Sequence, residues 1–249
     1  MLDLDQAIRE RHSTRMFLPN QAVPRQLVDE ALVLAQSAPS NSNIQPWHIV
    51  FASGPSRARL VAALLEEARR RPPNIPPLPE SFQHYRRELG AQVYGAMGIA
   101  REDTAGHMAA VLRNWEFFRA PLAGIVCMHR DLGPADALSV GMYLQTLLLA
   151  LTERGLGTCI EVSIAGYPEI VRAQLAIPAE LSILCGLAVG YPDPDFAANK
   201  LHVSRQAIEK KTASPTDDGL GAALSDELGL QHIPSARSRM LAAARPARA

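Results

Sequence analysis

The chain has 249 residues, 47% hydrophobic and 20% charged, which is enough to bury a full core and ordinary for a soluble globular protein. Its 25 Lys and Arg residues balance 25 Asp and Glu residues. That balance argues against nucleic acid or an anionic membrane surface as partner, since both need a positive excess.

Residues 4–11 and 24–37 read as helices, the second with Pro24 near its first turn and Leu27, Val28, Ala31, Leu32 and Ala35 at helical spacing. SAPSNSNIQP at 37–46 is a loop by composition and runs into a strand, WHIVFAS, at 47–53. A helix is predicted at 56–70. Five prolines within RRPPNIPPLPE at 70–80 then forbid a regular element, so this is a surface excursion. Helices are expected at 80–98 and 101–118, a strand at 121–129, and an apolar helix at 134–154. Its uncharged stretch, Ala137 to Thr152, is shorter than the roughly 20 apolar residues of a spanning helix, so it belongs in a core or an interface. GLGTCIEVS at 155–163 reads as a strand, 167–175 as a short helix, and LSILCGLAVGYP at 181–192 as a strand buried on both faces. Beyond residue 212 the periodicity fades, which divides the chain into a domain at 1–212 and a mobile tail at 213–249. The pattern is α+β, with a mixed central sheet of four to five strands surrounded by helices.

Cys127, Cys159 and Cys185 sit among apolar neighbours without a CxxC pair. They read as reduced thiols of a cytoplasmic protein, not as a disulfide framework or a zinc site. The opening MLDLDQAIRERH lacks the features of a secretory signal. No histidine spacing suggests a metal. Trp115, Phe117 and Phe118 read as core rather than as a substrate channel. Glu161, the one carboxylate of its strand, reads as structural.

Three constellations carry candidate chemistry. Arg11-His12-Ser13-Thr14-Arg15 leaves a helix end with two guanidinium forks and hydroxyls suited to a phosphate. Pro39-Ser40-Asn41-Ser42-Asn43 is dense in groups that could hydrogen-bond a heterocycle. Gly155-Leu156-Gly157 lacks the strand-before, helix-after context of a dinucleotide fingerprint, and marks a helix stop ahead of a strand. Taken singly, each is equally a solvated surface or a plain loop.

In combination, RHSTR, then APSNSNIQPWHIV, then GLGTCIEVS, then Ser204-Arg205 resemble the FMN-dependent nitroreductase family over residues 4–212. The resemblance implies a homodimer with a nitroreductase-like fold. It implies that Arg11, His12 and Ser13 hold the FMN phosphate, joined by Arg205. Arg15 would lie against the N1–C2 edge of the flavin, while Pro39, Ser40, Asn41 and Asn43 contact the ring or ribityl chain, commonly across the dimer interface. Backbone groups of Ile160, Glu161, Val162 and Ser163 would approach flavin N5. The activity implied is ping-pong reduction of nitroaromatic, quinone or similar small electron-poor acceptors, with NADH or NADPH as co-substrate. The same scaffold also supports a flavin-dependent oxidase or dehydrogenase of a biosynthetic intermediate, or a non-catalytic FMN-binding protein.

Overall fold

The computed structural model describes residues 2–208, 211 and 212; the tail from 213 on, expected to be mobile, lies outside the described residues. The chain divides into two units, one of residues 1–77 and 90–201, the other of 78–89 and the segment from 202 onward.

The first unit is built on a four-stranded sheet. Its strands are β1 (His48–Ser53), β2 (Leu122–His129), β3 (Gly157–Glu161) and β4 (Leu181–Gly190), in the spatial order β1-β2-β4-β3. Side chains alternate between faces along a strand. Ala123, Ile125 and Cys127 of β2 join Leu60, Leu64, Phe117 and Tyr167 in one cluster, whereas Val126 and Met128 join Trp47, Tyr143, Leu147 and Leu151 in the other. Both faces are thus covered, which explains the near-continuous apolar sequences of β2 and β4.

Helices supply the two covers. α1 (Leu4–Glu10) starts at a capping box formed by Asp3 and Gln6. α2 (Arg25–Ala35) and α6 (Pro134–Glu153) contribute Ala31, Ala35, Val140, Leu147 and Leu151 to one cluster; α3 (Gly54–Arg70) and α7 (Pro168–Leu175) contribute Leu60, Leu64 and Val171 to the other. α4 (Gln83–Ala96) and α5 (Thr104–Leu112) lie between α3 and β2 in sequence. By length and hydropathy α6 could cross a membrane. One face of it is instead core, where Tyr143 stacks on Trp47 with ring centroids 4.6 Å apart.

Three sequence expectations are adjusted. The four strands pair antiparallel throughout, so the mixed character is confined to one isolated parallel bridge, Ser13 to Thr158. The reason is that an apolar run records burial and not strand direction. The helix expected over 101–118 stops at Leu112. Phe117, Phe118 and Arg119 adopt positive φ values of 53°, 48° and 67°, a left-handed turn that buries the two neighbouring phenylalanines in one cluster. The strand expected over 155–163 spans only 157–161, and a 3-10 turn follows over Val162–Gly166. Trp115, Phe117 and Phe118 are core, as expected.

The proline excursion is anchored where it leaves α3: Asn74 N–H donates to Gly166 O at 3.0 Å, on the 3-10 turn that follows β3. In the second unit, a 3-10 turn over Glu80–Phe82 leads into α4, and the Gln206 side chain hydrogen-bonds the Tyr85 hydroxyl.

Candidate active site

The helix stop ahead of β3 sets up the site. Gly155, at φ +74°, takes the left-handed conformation that ends α6 after Arg154, and Leu156 N–H returns to Leu151 O. Gly157 is needed for another reason. A Cβ there would lie 2.6 Å from Thr14 Oγ1 and 2.8 Å from Pro192 Cγ, so only glycine lets the N-terminal segment lie against β3.

That close approach brings two of the sequence constellations together. Arg11 closes α1, its N–H bonded to Ala7 O at 3.0 Å, and the chain then turns to run parallel to β3. Thr14 N–H donates to Thr158 O at 2.9 Å, and Ser13 bridges Thr158. Burial pushes the Cys159 thiol up, the nearby Glu161 carboxyl adds to this, and Arg15, the Ser13 hydroxyl and Arg11 oppose it. Arg11, Ser13 and Arg15 therefore all sit beside Gly157–Ile160.

The polar atoms of this segment are only partly committed. Arg15 gives one N–H to Ser13 O at 3.2 Å. His12 Nδ1 lies 2.7 Å from Glu10 O, so Nδ1 carries the donated proton and the other ring nitrogen is Nε2. That Nε2 is buried without a hydrogen-bond partner, as is Thr14 Oγ1. Buried polar atoms are normally satisfied. Guanidinium donors beside unsatisfied ring and hydroxyl groups suit a ligand that has both anionic oxygens and hydroxyls, and flavin mononucleotide is such a ligand.

Glu161 ends β3 opposite Gly186. Only 2% of it is exposed, and neither carboxyl oxygen has a hydrogen-bond partner. Burial raises its pKa well above the usual carboxylate range, with the Arg57 cation opposing. The side chain is thus a buried carboxyl that holds its proton more tightly than usual. Next to it Val162 is exposed and Ser163 half-buried, so the backbone after β3 reaches an open face.

The second constellation lies elsewhere in the chain. Pro39 and Ser40 lead into a 3-10 turn at Asn41–Asn43, and this loop docks on the first turns of α6. Asn41 N–H donates to Ser139 Oγ at 3.2 Å, and its side-chain amide to Asp136 Oδ1 at 3.3 Å. Ser42, Asn43 and Gln45 all have positive φ, a strained path that Ser40 Oγ braces by accepting from Gln45 N–H at 3.1 Å. Ser139 and Glu153 are fourteen residues apart on α6. At 1.5 Å per residue that is about 21 Å of helix between this loop and the end leading to Gly157. Arg205 is exposed and belongs to the second unit, where its guanidinium turns back to Val203 O at 2.7 Å.

One residue of the site had no sequence signal. Asn199, buried after β4, accepts from Arg15 N–H at 2.7 Å and donates to Met16 O and Asp193 O. A single asparagine in FAANK looks like any loop residue.

A cavity of about 610 Å³ lined by Asn20, Val23, Val28, Leu32, Phe51 and Leu122, among others, contains none of the predicted site residues. Its lining offers no cluster of donors comparable to Arg11–Arg15.

Known proteins resemble this chain over most of its length. The sequence profile of the Nitroreductase family matches residues 8–191. A nitrobenzene nitroreductase of Ectopseudomonas oleovorans is 32% identical over 217 residues, spanning 84% of this chain and 95% of that protein. Among solved structures, the FMN and NADPH-dependent nitroreductase NfnB from sphigopyxis sp. strain HMH superposes with a TM-score of 0.82 at 29% identity, covering 87% of this chain and all of that one. The FMN-dependent nitroreductase NfnB from Mycobacterium smegmatis, solved with NADPH, gives 0.77 at 32% identity, covering 85% and 99%. With a profile match over most of its length and relatives above 30% identity across nearly their whole chains, this chain belongs to the nitroreductase family.

Proposed function

We propose that the chain is an FMN-dependent oxidoreductase that uses NADPH or NADH to reduce nitroaromatic, quinone or similar electron-poor small molecules. The observation that carries this reading is the seating of Arg11–Arg15 along Gly157–Ile160 by the Ser13–Thr158 bridge, in a chain of this family. Arg11, His12 and Ser13 would hold the phosphate. Charged guanidinium forks offset the cost of removing a phosphate from water. Arg15 would stand at the N1–C2 edge of the ring and favour its reduced, more negative form. The backbone of Ile160, Glu161, Val162 and Ser163 would border N5. When bound, FMN supplies the hydride chemistry; the side chains bind, orient and exclude water.

The same reading makes the enzyme a homodimer. Pro39, Ser40, Asn41 and Asn43 lie near one end of α6 while Arg11–Arg15 lies near the other, so one chain does not gather all of the expected contacts. A second copy packed about a two-fold axis along α6 brings the loop of one protomer to the β3 of its partner. Leu138 and Met142 of α6, 68% and 37% exposed, together with the exposed Leu4 and Ile8 of α1, supply the apolar surface such an interface needs. Three buried, unpaired thiols fit the reducing cytoplasm.

Rapid mixing without oxygen tests the assignment. NADPH or NADH is expected to bleach the bound flavin, and a nitrobenzene-type acceptor to restore its colour. A single pocket used in turn by donor and acceptor gives parallel double-reciprocal lines when acceptor is varied at several nicotinamide concentrations. Intersecting lines would require a separate nicotinamide site, and absence of bleaching would overturn the donor assignment.

A further inference from the structure

We infer that Asn199 is a positioning residue for the cation at the flavin edge; this rests on the assignment of Arg15 to that edge. Asn199 is only 9% exposed, and its side-chain amide makes three hydrogen bonds to main chain, two of them to Arg15 and Met16 more than 180 positions away. Its Oδ1 accepts from Arg15 N–H at 2.7 Å. Its Nδ2 donates to Met16 O at 2.8 Å and to Asp193 O at 3.0 Å. The amide has one workable orientation, because a flip would set its oxygen against two carbonyls and its NH₂ against an N–H.

The turn that holds Asn199 is itself tied to the N-terminal segment. Asp193 N–H donates to Met16 O at 3.0 Å, Leu18 N–H to Tyr191 O at 2.9 Å, and Phe17 bridges Pro192. On its other side, Thr14 N–H is held by Thr158 O at 2.9 Å. Arg15 is thus clamped between β3 and the turn after β4, and Asn199 supplies the bond at Arg15 itself. Among the described residues the Arg15 side chain has one hydrogen-bond partner, Ser13 O. Its guanidinium therefore takes its position from the backbone that Asn199 fixes. Removing the amide frees that backbone and lets the charge move away from the ring edge.

The test compares holoenzymes of wild type, Arg15→Ala, Asn199→Ala and the double variant, and reads the flavin midpoint potential. Backbone amide exchange at residues 15 and 16 is followed in parallel. Asn199→Ala is expected to lower the potential by at least half the shift of Arg15→Ala, to speed exchange at Arg15, and to add nothing in the double variant. Asn199→Ser, which keeps one short polar group, is expected to fall between wild type and Asn199→Ala; it carries the test should Asn199→Ala fail to fold. A wild-type potential in both Asn199 variants, alongside a shifted Arg15→Ala, overturns the positioning role while leaving Arg15 in place. An unshifted Arg15→Ala removes the assignment of Arg15 and the role of Asn199 with it.

Discussion

At the scale of single residues, charge and burial separate the groups that bind from the groups that merely fit. Arg11 is half-buried, next to the unsatisfied His12 Nε2 and Thr14 Oγ1. Arg11→Ala is expected to weaken FMN binding by about 1.5–3 kcal/mol, the usual worth of a charge-assisted hydrogen bond. Titration of the apo-protein with FMN measures it, and an unchanged dissociation constant would remove Arg11 from the phosphate. Glu161 gives the opposite case. Its raised pKa means that the folded chain keeps a proton which the unfolded chain releases above about 4.3. Its contribution is complete below that value and is lost as pH rises toward the folded value. Glu161→Gln cannot ionise, so its stability relative to wild type should grow from about pH 4.3 toward neutrality. Thermal unfolding of both proteins across that range checks this; a difference that does not vary with pH would mean that the carboxyl is ionised in the fold.

Among the elements, local patterns located most helices and strands, and tertiary burial moved their ends. Helical spacing placed α2, α3, α6 and α7 within a few residues, because amphipathic periodicity is set within a turn or two. It failed over 113–118, where spacing alone would continue the helix. The left-handed turn at Phe117–Arg119 carries unfavourable backbone conformations, roughly 1–2 kcal/mol per residue. It persists because Phe117 is completely buried and Phe118 nearly so, against Gly186 and Phe17 among others. Phe117→Ala should therefore cost about 3–5 kcal/mol of unfolding free energy, read from urea denaturation. A loss near that of an exposed substitution, below about 0.5 kcal/mol, would show that the aromatic ring does not hold the turn.

Assembly concerns the whole molecule. The proposed homodimer would cover the exposed apolar residues on α1 and α6 and bring the Ser40–Asn43 loop of one protomer to Arg11–Arg15 of its partner. Leu138→Glu combined with Met142→Glu should give a 27.0 kDa monomer in light scattering that has lost most of its FMN, while wild type runs at twice that mass. A monomeric wild type with full flavin content would end the shared-site reading. The nitroreductase resemblance itself was legible from RHSTR, APSNSNIQPWHIV and GLGTCIEVS. The placement of those motifs at opposite ends of α6 was not, since it depends on the path of the chain between them.

By itself the sequence determined the type and order of most elements and the glycine that ends α6, and it offered Arg11–Arg15 as candidates for a phosphate. All of these depend on neighbours within a few positions, where spacing and side-chain chemistry speak directly. Only the tertiary structure decided the antiparallel pairing of the strands, the burial of Glu161 and the seating of Arg15. The bond from Arg15 to Asn199 joins residues 184 positions apart. No periodicity spans that distance; the contact exists because the sheet and its two helical covers bring the turn after β4 against the segment leaving α1.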